Sequence, residues 1–173
     1  MLINQQEFYQ NGLHYTIRSA FETDAFELSA LRMQIDGETE NLDREKGEAI
    51  IDTKDFQQLI KADTDHPRNI FLVAVAHHRI VGFSRCEGFA LKRFSHKVEF
   101  GVRHRKKTSY SYPLIGQMPT ILKKMALHVL ETNDKAIRLY EKLGFEVEGL
   151  LKNDKILSDG HYYHTVVMGR FKD

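Results

Sequence analysis

Apolar and polar positions follow two periods along the chain, and these periods predict its strands and helices. Short apolar or alternating runs fit strands, because successive side chains of a strand point to opposite faces. Such runs occupy residues 13–18, 70–76, 79–88, 97–102, 125–130, 145–151 and 162–170. Apolar residues at intervals of three and four predict amphipathic helices over residues 24–33, 52–62 and 133–143. This mixture predicts an α/β domain.

Polar residues and a glycine mark the ends of these elements. Asp24 and Asn133 precede the first and third helices, where a side-chain oxygen can accept the free N–H groups of the first turn. Gly144 follows the third helix, where a left-handed residue is favoured. His77 and His78 separate two strands and predict a hairpin turn. We expect the first helix to present an apolar side made of Ala25, Leu28, Leu31 and Met33.

The most informative stretch runs from Met125 to Phe145. It places a buried strand, a polar corner and one short helix in succession. Its motif is an asparagine followed by Ala-x-x-Leu-Tyr-x-x-x-Gly-Phe, formed here by Asn133, Ala136, Leu139, Tyr140, Gly144 and Phe145. This motif resembles the second half of the core of the GNAT N-acetyltransferase family, bacterial type. The resemblance extends over nearly the whole chain after about residue 13 and is strongest from Val98 on.

The resemblance implies a single GNAT (acyl-CoA N-acyltransferase) domain over residues 1–173, with its core at about 13–171. The sheet would be mixed, mostly antiparallel and flanked by helices, and its fourth and fifth strands would splay apart. Acetyl-CoA, as co-substrate, would enter the gap and bond to the backbone of Phe100, Gly101 and Val102. The implied function is the transfer of acetyl from acetyl-CoA to a primary amine by direct attack.

The resemblance also implies roles for four side chains. Asn133 would contact the cofactor or order the substrate. Tyr140 would contact the cofactor and donate its proton to the departing thiolate, which is feasible because a phenol titrates at about 10 and a thiol near 8.5. Glu99 on the fourth strand, or Glu131 after the fifth, would take the proton of the amine through water.

Each role has a structural alternative. Tyr140 could be only a core residue of an amphipathic helix, and Asn133 only a helix cap. Glu99 could point into solvent, since alternate residues on a strand face opposite ways. Glu131 fits a corner carboxylate. His161 and His164 face opposite sides of a strand, and no set of His, Cys or acidic residues has the spacing of a metal site.

Composition and charge narrow the partners. The chain has 173 residues, 42% of them hydrophobic, and a formal net charge of +1, so no general attraction to nucleic acid or membrane is expected. The single cysteine, Cys86, excludes an internal disulfide and fits a reducing, cytoplasmic compartment. The first residues lack the pattern of a signal peptide. We expect a small-molecule or peptide amine as substrate, and a homodimer remains open.

One segment, Arg103 to Lys124, departs from the family. It lacks the glycine-rich turn that would hold the pyrophosphate on backbone N–H groups, and Pro113 and Pro119 fall where a long helix is expected. We interpret part of it as translated out of frame. Shifted codons of residues 115–124 can spell tryptophan, alanine, aspartate, alanine, asparagine, aspartate, isoleucine and two lysines, and those of residues 103–107 can spell glycine, isoleucine, glycine and lysine. Both strings are typical of GNAT proteins.

If this segment is genuine, side-chain charge could hold the phosphate instead, through Arg103, Arg105, Lys106 and Lys107. The degraded turn also leaves open a catalytically impaired or non-catalytic GNAT-like ligand-binding module. A nucleic-acid site is disfavoured, because the basic patch is short and has no aromatic platform. The first two helices and residues 158–161 would border the acceptor site, where acidic residues near Asp36 to Asp43 would suit a cationic amine.

Overall fold

Eight strands and three complete helices form the part of the chain that the computed structural model describes, residues 1–10, 12–104, 114–115 and 123–172. The strands are β1 (Gln6–Gln10), β2 (Leu13–Ser19), β3 (Ile70–Ala76), β4 (Arg79–Gly88), β5 (Lys97–His104), β6 (Lys124–Leu130), β7 (Glu146–Ile156) and β8 (Tyr162–Phe171). The helices are α1 (Ala25–Asp36), α2 (Thr53–Asp65) and α3 (Asp134–Lys142).

The strands form one sheet in the order β1-β2-β3-β4-β5-β6-β8-β7. Neighbouring strands run antiparallel, except β5 and β6, which are parallel. The predicted mixed, mostly antiparallel sheet is therefore confirmed. Strand β1 was not predicted. Its sequence is mostly polar because it is an edge strand that pairs with β2 alone, with Gln10 opposite Leu13.

The sheet has one apolar cluster on each side, and we name each face of the sheet after the helices that pack there. On the face that we call the α3 face, Phe100, Leu127, Tyr140 and Phe145 pack together, joined by Leu114 and Ile115, which are helical and fully buried. On the opposite face, the α1–α2 face, Phe56 of α2 and Leu28 of α1 pack against Phe71, Val73 and Phe83 of the sheet. Burial of these two apolar faces holds the helices against the sheet.

The helix ends follow the predictions in part. Asn133 caps α3 as predicted, and its Oδ1 accepts the N–H of Ala136 at 3.3 Å. Asp24 occupies the N-cap position of α1 as predicted, but its side chain does not cap the helix, because its carboxylate binds Arg18 at 2.7 Å and accepts the N–H of Phe21. The apolar side of α1 includes Ala25, Leu28 and Leu31, but Met33 is 39% exposed and Arg32 is buried beside it.

The predicted turns are confirmed by positive φ angles. Gly144 has φ +82° directly after α3, a conformation in which a Cβ would be strained. The chain then reverses, and the N–H of Phe145 donates to the carbonyl of Tyr140 at 2.9 Å. His77 and His78, at φ 49° and 59°, form the hairpin turn between β3 and β4. The turn at Gly144 sets the position of α3 against the sheet.

Candidate active site

Strands β5 and β6 separate after three paired positions. Lys97 lies opposite Lys124, Val98 opposite Met125, and Glu99 opposite Ala126. Among the described residues, β5 pairs only with β4 from Phe100 on, and β6 pairs only with β8 beyond Ala126. The splay predicted for the fourth and fifth strands is therefore confirmed. These strands are β5 and β6 in the structure, because β1 adds one strand at the start. A cleft of about 1160 Å³ opens there, bordered by β4 to β7, α3 and residues 38–43 after α1.

The open edge of β5 presents backbone to the cleft. Phe100, Gly101 and Val102 are held on one side by Cys86, Arg85 and Ser84 of β4, which leaves their other edge facing the gap. The side chain of Phe100 is buried on the α3 face, and Gly101 has no side chain. A ligand in the gap would therefore meet backbone donors and acceptors here. This geometry fits a pantetheine arm, whose binding by these residues remains a prediction.

Tyr140 lies in the wall of the cleft on the α3 face. It is 8% exposed, and its ring packs against Phe145 with the centroids 5.7 Å apart. Burial in this apolar surrounding raises the pKa of Tyr140 to about 12, because it disfavours the phenolate. Tyr140 is thus both a core residue and a protonated group at the cleft, as an acid requires.

Asn133 also borders the cleft, at the start of α3. Its side-chain oxygen is already engaged as the cap of the helix. The capping role is confirmed. The amide group remains to contact a ligand, and that contact stays a prediction.

Glu99 lies on the α1–α2 face at the point where the strands part. Its side chain is 57% exposed at the cleft, and its Oε1 is 3.8 Å from Nδ1 of His128 on β6. Its cross-strand partner is Glu87, whose carboxylate is bound by Arg85 at 2.6 Å. Glu99 is therefore in reach of an amine that enters from this face.

Glu131 fits its structural alternative. Its Oε1 accepts the N–H of His164 at 2.7 Å, which ties the end of β6 to β8, and it is not among the residues that border the cleft. His161 and His164 make separate contacts, with Asp159 and Glu131. Among the described residues no group of three or more His, Cys, Asp or Glu could hold a metal ion.

His128 borders the cleft although the sequence did not point to it, and Arg103 borders the cleft on a face that the sequence analysis did not assign. Arg103 shares a face of β5 with Glu99, and its guanidinium lies 5.9 Å from the ring of Phe83, on the α1–α2 face. It therefore faces away from Tyr140, which weakens the expectation that Arg103 holds the cofactor phosphate. Alternation along β5 could have assigned Arg103 to the face of Glu99, whereas no local signal pairs Glu99 with His128.

The remaining predictions for this segment fall elsewhere. Arg105, Lys106 and Lys107, both prolines and most of the proposed out-of-frame stretch lie outside the described residues.

Cys86 is fully buried in the sheet, and burial raises the pKa of its thiol to about 12. In the described part of the chain, no helix has the length and apolar character needed to cross a membrane.

Solved structures share this architecture. A GNAT-family acetyltransferase from Streptococcus pneumoniae matches with a TM-score of 0.85 and 21% identity, over 92% of this chain and 99% of that one. A phosphinothricin acetyltransferase from Sinorhizobium meliloti in complex with AcCoA matches with 0.78 and 16%, over 91% and 88%. A ribosomal-protein-alanine N-acetyltransferase from Brucella melitensis matches with 0.78 and 20%, over 90% and 99%.

No family model matches the sequence, and the curated proteins contain no match to it either. The similarity to the solved structures extends along nearly the full length of both chains. It confirms the predicted fold class, a single α/β domain with the fold of GNAT acetyltransferases.

Proposed function

We propose that this GNAT-fold chain belongs to the GNAT family and transfers acetyl from acetyl-CoA to a primary amine. The observation that carries the proposal is the separation of β5 and β6 after Glu99, which exposes the backbone of Phe100 to Val102 beside Tyr140. Two further findings support it. The cleft has room for an extended ligand, and a neighbour of the same fold was solved in complex with AcCoA.

When bound, acetyl-CoA supplies an activated acyl group. Residues on the two faces of the sheet then take different roles in the proton transfers. Glu99, on the α1–α2 face, accepts a proton from the incoming ammonium through a water molecule, so that the amine lone pair is free to attack the acetyl carbonyl carbon. As the new C–N bond forms and the C–S bond breaks, Tyr140 gives its proton to the sulfur. The nitrogen then loses its second proton to solvent, and solvent returns a proton to Tyr140. Oriented proton donors and acceptors of this kind contribute about 10²- to 10⁴-fold in rate.

The pKa of Tyr140 limits how it can act. Proton transfer from a phenol with a pKa of about 12 to a thiolate near 8.5 is uphill by about 5 kcal/mol in water. Desolvation in the cleft also raises the pKa of the departing thiol, which reduces this cost. Tyr140 therefore acts late, as a hydrogen-bond donor whose proton crosses when the C–S bond is nearly broken.

The burial of Cys86 favours direct attack of the amine on acetyl-CoA over a route through an acyl-enzyme. A covalent route through sulfur needs a thiolate, and the pKa of Cys86 is about 12 in a fully buried position. Its side chain lies opposite Phe100 inside the core rather than at the surface of the cleft. The single cysteine of the chain is thus unsuited to hold an acetyl group.

The proposal is tested by following free thiol while the protein is mixed with acetyl-CoA and a panel of amines. The panel includes phosphinothricin and a peptide that begins with alanine, since these acceptors are named for neighbours of the fold. Thiol release that depends on an amine supports the proposal. Stabilisation by acetyl-CoA in a thermal-shift assay without thiol release from any amine would favour the non-catalytic module.

A further inference from the structure

Arg103 lines the cleft and has no counter-ion in the part of the chain that the structure describes. Its Nε is buried and has no hydrogen-bond partner, and no carboxylate among the described residues lies within ion-pair distance of its guanidinium. Burial lowers the pKa of Arg103, because the charged form is poorly solvated there. The Nε of this guanidinium is thus a buried donor that no described group satisfies.

The two carboxylates that act on the charge of Arg103, Asp36 and Asp43, are bound by other cations. Asp36 lies 3.4 Å from Arg44 and 4.0 Å from Arg32, and Asp43 is bound by Lys155. Both acids still influence Arg103 at longer range. Three other cations, Arg32, Arg44 and Lys155, therefore compete with Arg103 for these two carboxylates.

Burying an unpaired charge is costly, and an anion that pairs with it recovers much of the cost. Arginine suits this task, because its planar fork of donors matches the two oxygens of a carboxylate or phosphonate. The ring of Phe83 beneath Arg103 supports the guanidinium at 5.9 Å. Arg103 is therefore built as a receptor for an anion that enters the cleft.

The position of Arg103 says which ligand brings that anion. Its Nη1 folds back over Gly101 and lies 3.8 Å from where a Cβ of that residue would be. Gly101 is two residues from Glu99 on the same face, a separation of about 7 Å along a strand. One small molecule can therefore reach Glu99 with its amine and Arg103 with an anionic group.

We infer that the acceptor is a small α-amino acid or a close analogue, with its primary amine directed to Glu99 and its carboxylate bound by Arg103. The inference rests on the proposed acetyl transfer and deepens it. Arg103 is a binding residue in this scheme and takes no part in the bond changes. The peptide N-terminus, which lacks an anion beside its amine, is the disfavoured class of acceptor.

The test compares three forms of the same acceptor. Leucine, methionine and phenylalanine are each assayed as the free acid, the primary carboxamide and the decarboxylated amine. The wild-type protein should acetylate at least one of the acids with a kcat/KM about 10- to 100-fold above its amide and amine. Arg103→Gln should remove that preference by raising KM for the acids, and it should leave the amides and amines within about twofold.

Matched variants separate binding from folding. Arg103→Lys should recover part of the preference, and Arg79→Gln, at the hairpin end of β4 outside the cleft, should leave it unchanged. The inference is overturned if the acids have no advantage in the wild-type protein, or if Arg103→Gln lowers all three forms equally. Thiol release from none of the amines would count against the proposed function instead. In that case calorimetric binding of the acids in the presence of CoA, lost in Arg103→Gln, supports the anion site, and equal binding by both proteins overturns it.

Discussion

Glu99 Oε1 lies 3.8 Å from His128 Nδ1, at the position where β5 and β6 separate. Both residues border the cleft. Glu99 is opposite Glu87 on β4, and Glu87 is bound by Arg85, so Glu99 is the carboxylate more open to an incoming amine.

Replacing Glu99 tests its role as proton acceptor. Glu99→Gln should lower kcat about 100-fold, the size of a lost general base, while acetyl-CoA affinity stays the same. The defect should shrink as the pH rises towards the pKa of the amine, because solvent then removes the proton. Steady-state rates over pH measure this. Glu87→Gln, which removes a neighbouring carboxylate, is the control, and an equal loss of kcat in both variants would contradict the assignment.

Tyr140→Phe tests the proton donor. It should lower kcat about 10- to 100-fold and change the free energy of unfolding by less than about 1 kcal/mol, because the ring packing on Phe145 is kept. Thiol release and urea unfolding measure the two effects. Tyr162→Phe, an exposed tyrosine on β8, serves as control. An unchanged rate in Tyr140→Phe would remove it as the acid.

The buried thiol of Cys86 makes the free energy of unfolding depend on pH in the alkaline range. In the unfolded chain its thiol ionises around pH 9, whereas burial raises the folded pKa to about 12. Between these values the folded state binds more protons, so the free energy of unfolding falls as pH rises, by about 1.4 kcal/mol per unit. Urea unfolding at pH 8 to 10 should show a flatter dependence for Cys86→Ala. Equal slopes in both proteins would be inconsistent with the buried thiol.

Asp63 anchors α2 to the sheet. It is 1% exposed, and its Oδ1 accepts hydrogen bonds from Arg85 at 2.9 Å and from Asn69 at 2.7 Å. Asp63→Ala should cost about 1–3 kcal/mol, because the buried amide of Asn69 loses its acceptor and Arg85 keeps only Glu87 as a partner. Urea unfolding measures the loss. The exposed Asp65→Ala, two residues on, should change stability by no more than about 0.5 kcal/mol.

The out-of-frame interpretation is tested on the gene itself. A DNA read across codons 103–124 should reveal small insertions or deletions that restore a glycine-rich turn and a continuous helix. A clean read that encodes the printed residues would remove the interpretation.

Local chemistry predicted several elements correctly. The cap at Asn133, the left-handed Gly144 and the buried side of α3 with Tyr140 all depend on neighbours within a few residues, which a sequence displays directly. β1 was missed although the sequence holds a local signal for it. An Asn-Gly pair at 11–12, which is typical of a hairpin turn, precedes the alternating residues of β2. Asp24 misled because Arg18, on a different element, captured its carboxylate.

The sequence by itself determined the order of the described elements from β2 on, most of their buried faces and the motif that carries Tyr140, because periodicity and capping are local. Only the tertiary structure decided that β5 and β6 part after Glu99 and that His128 lies beside it. It alone also decided that Arg103 folds over Gly101 while nearby carboxylates pair elsewhere. Strand register and charge pairing result from contacts between distant segments, whose competition for partners is settled only when the whole sheet assembles.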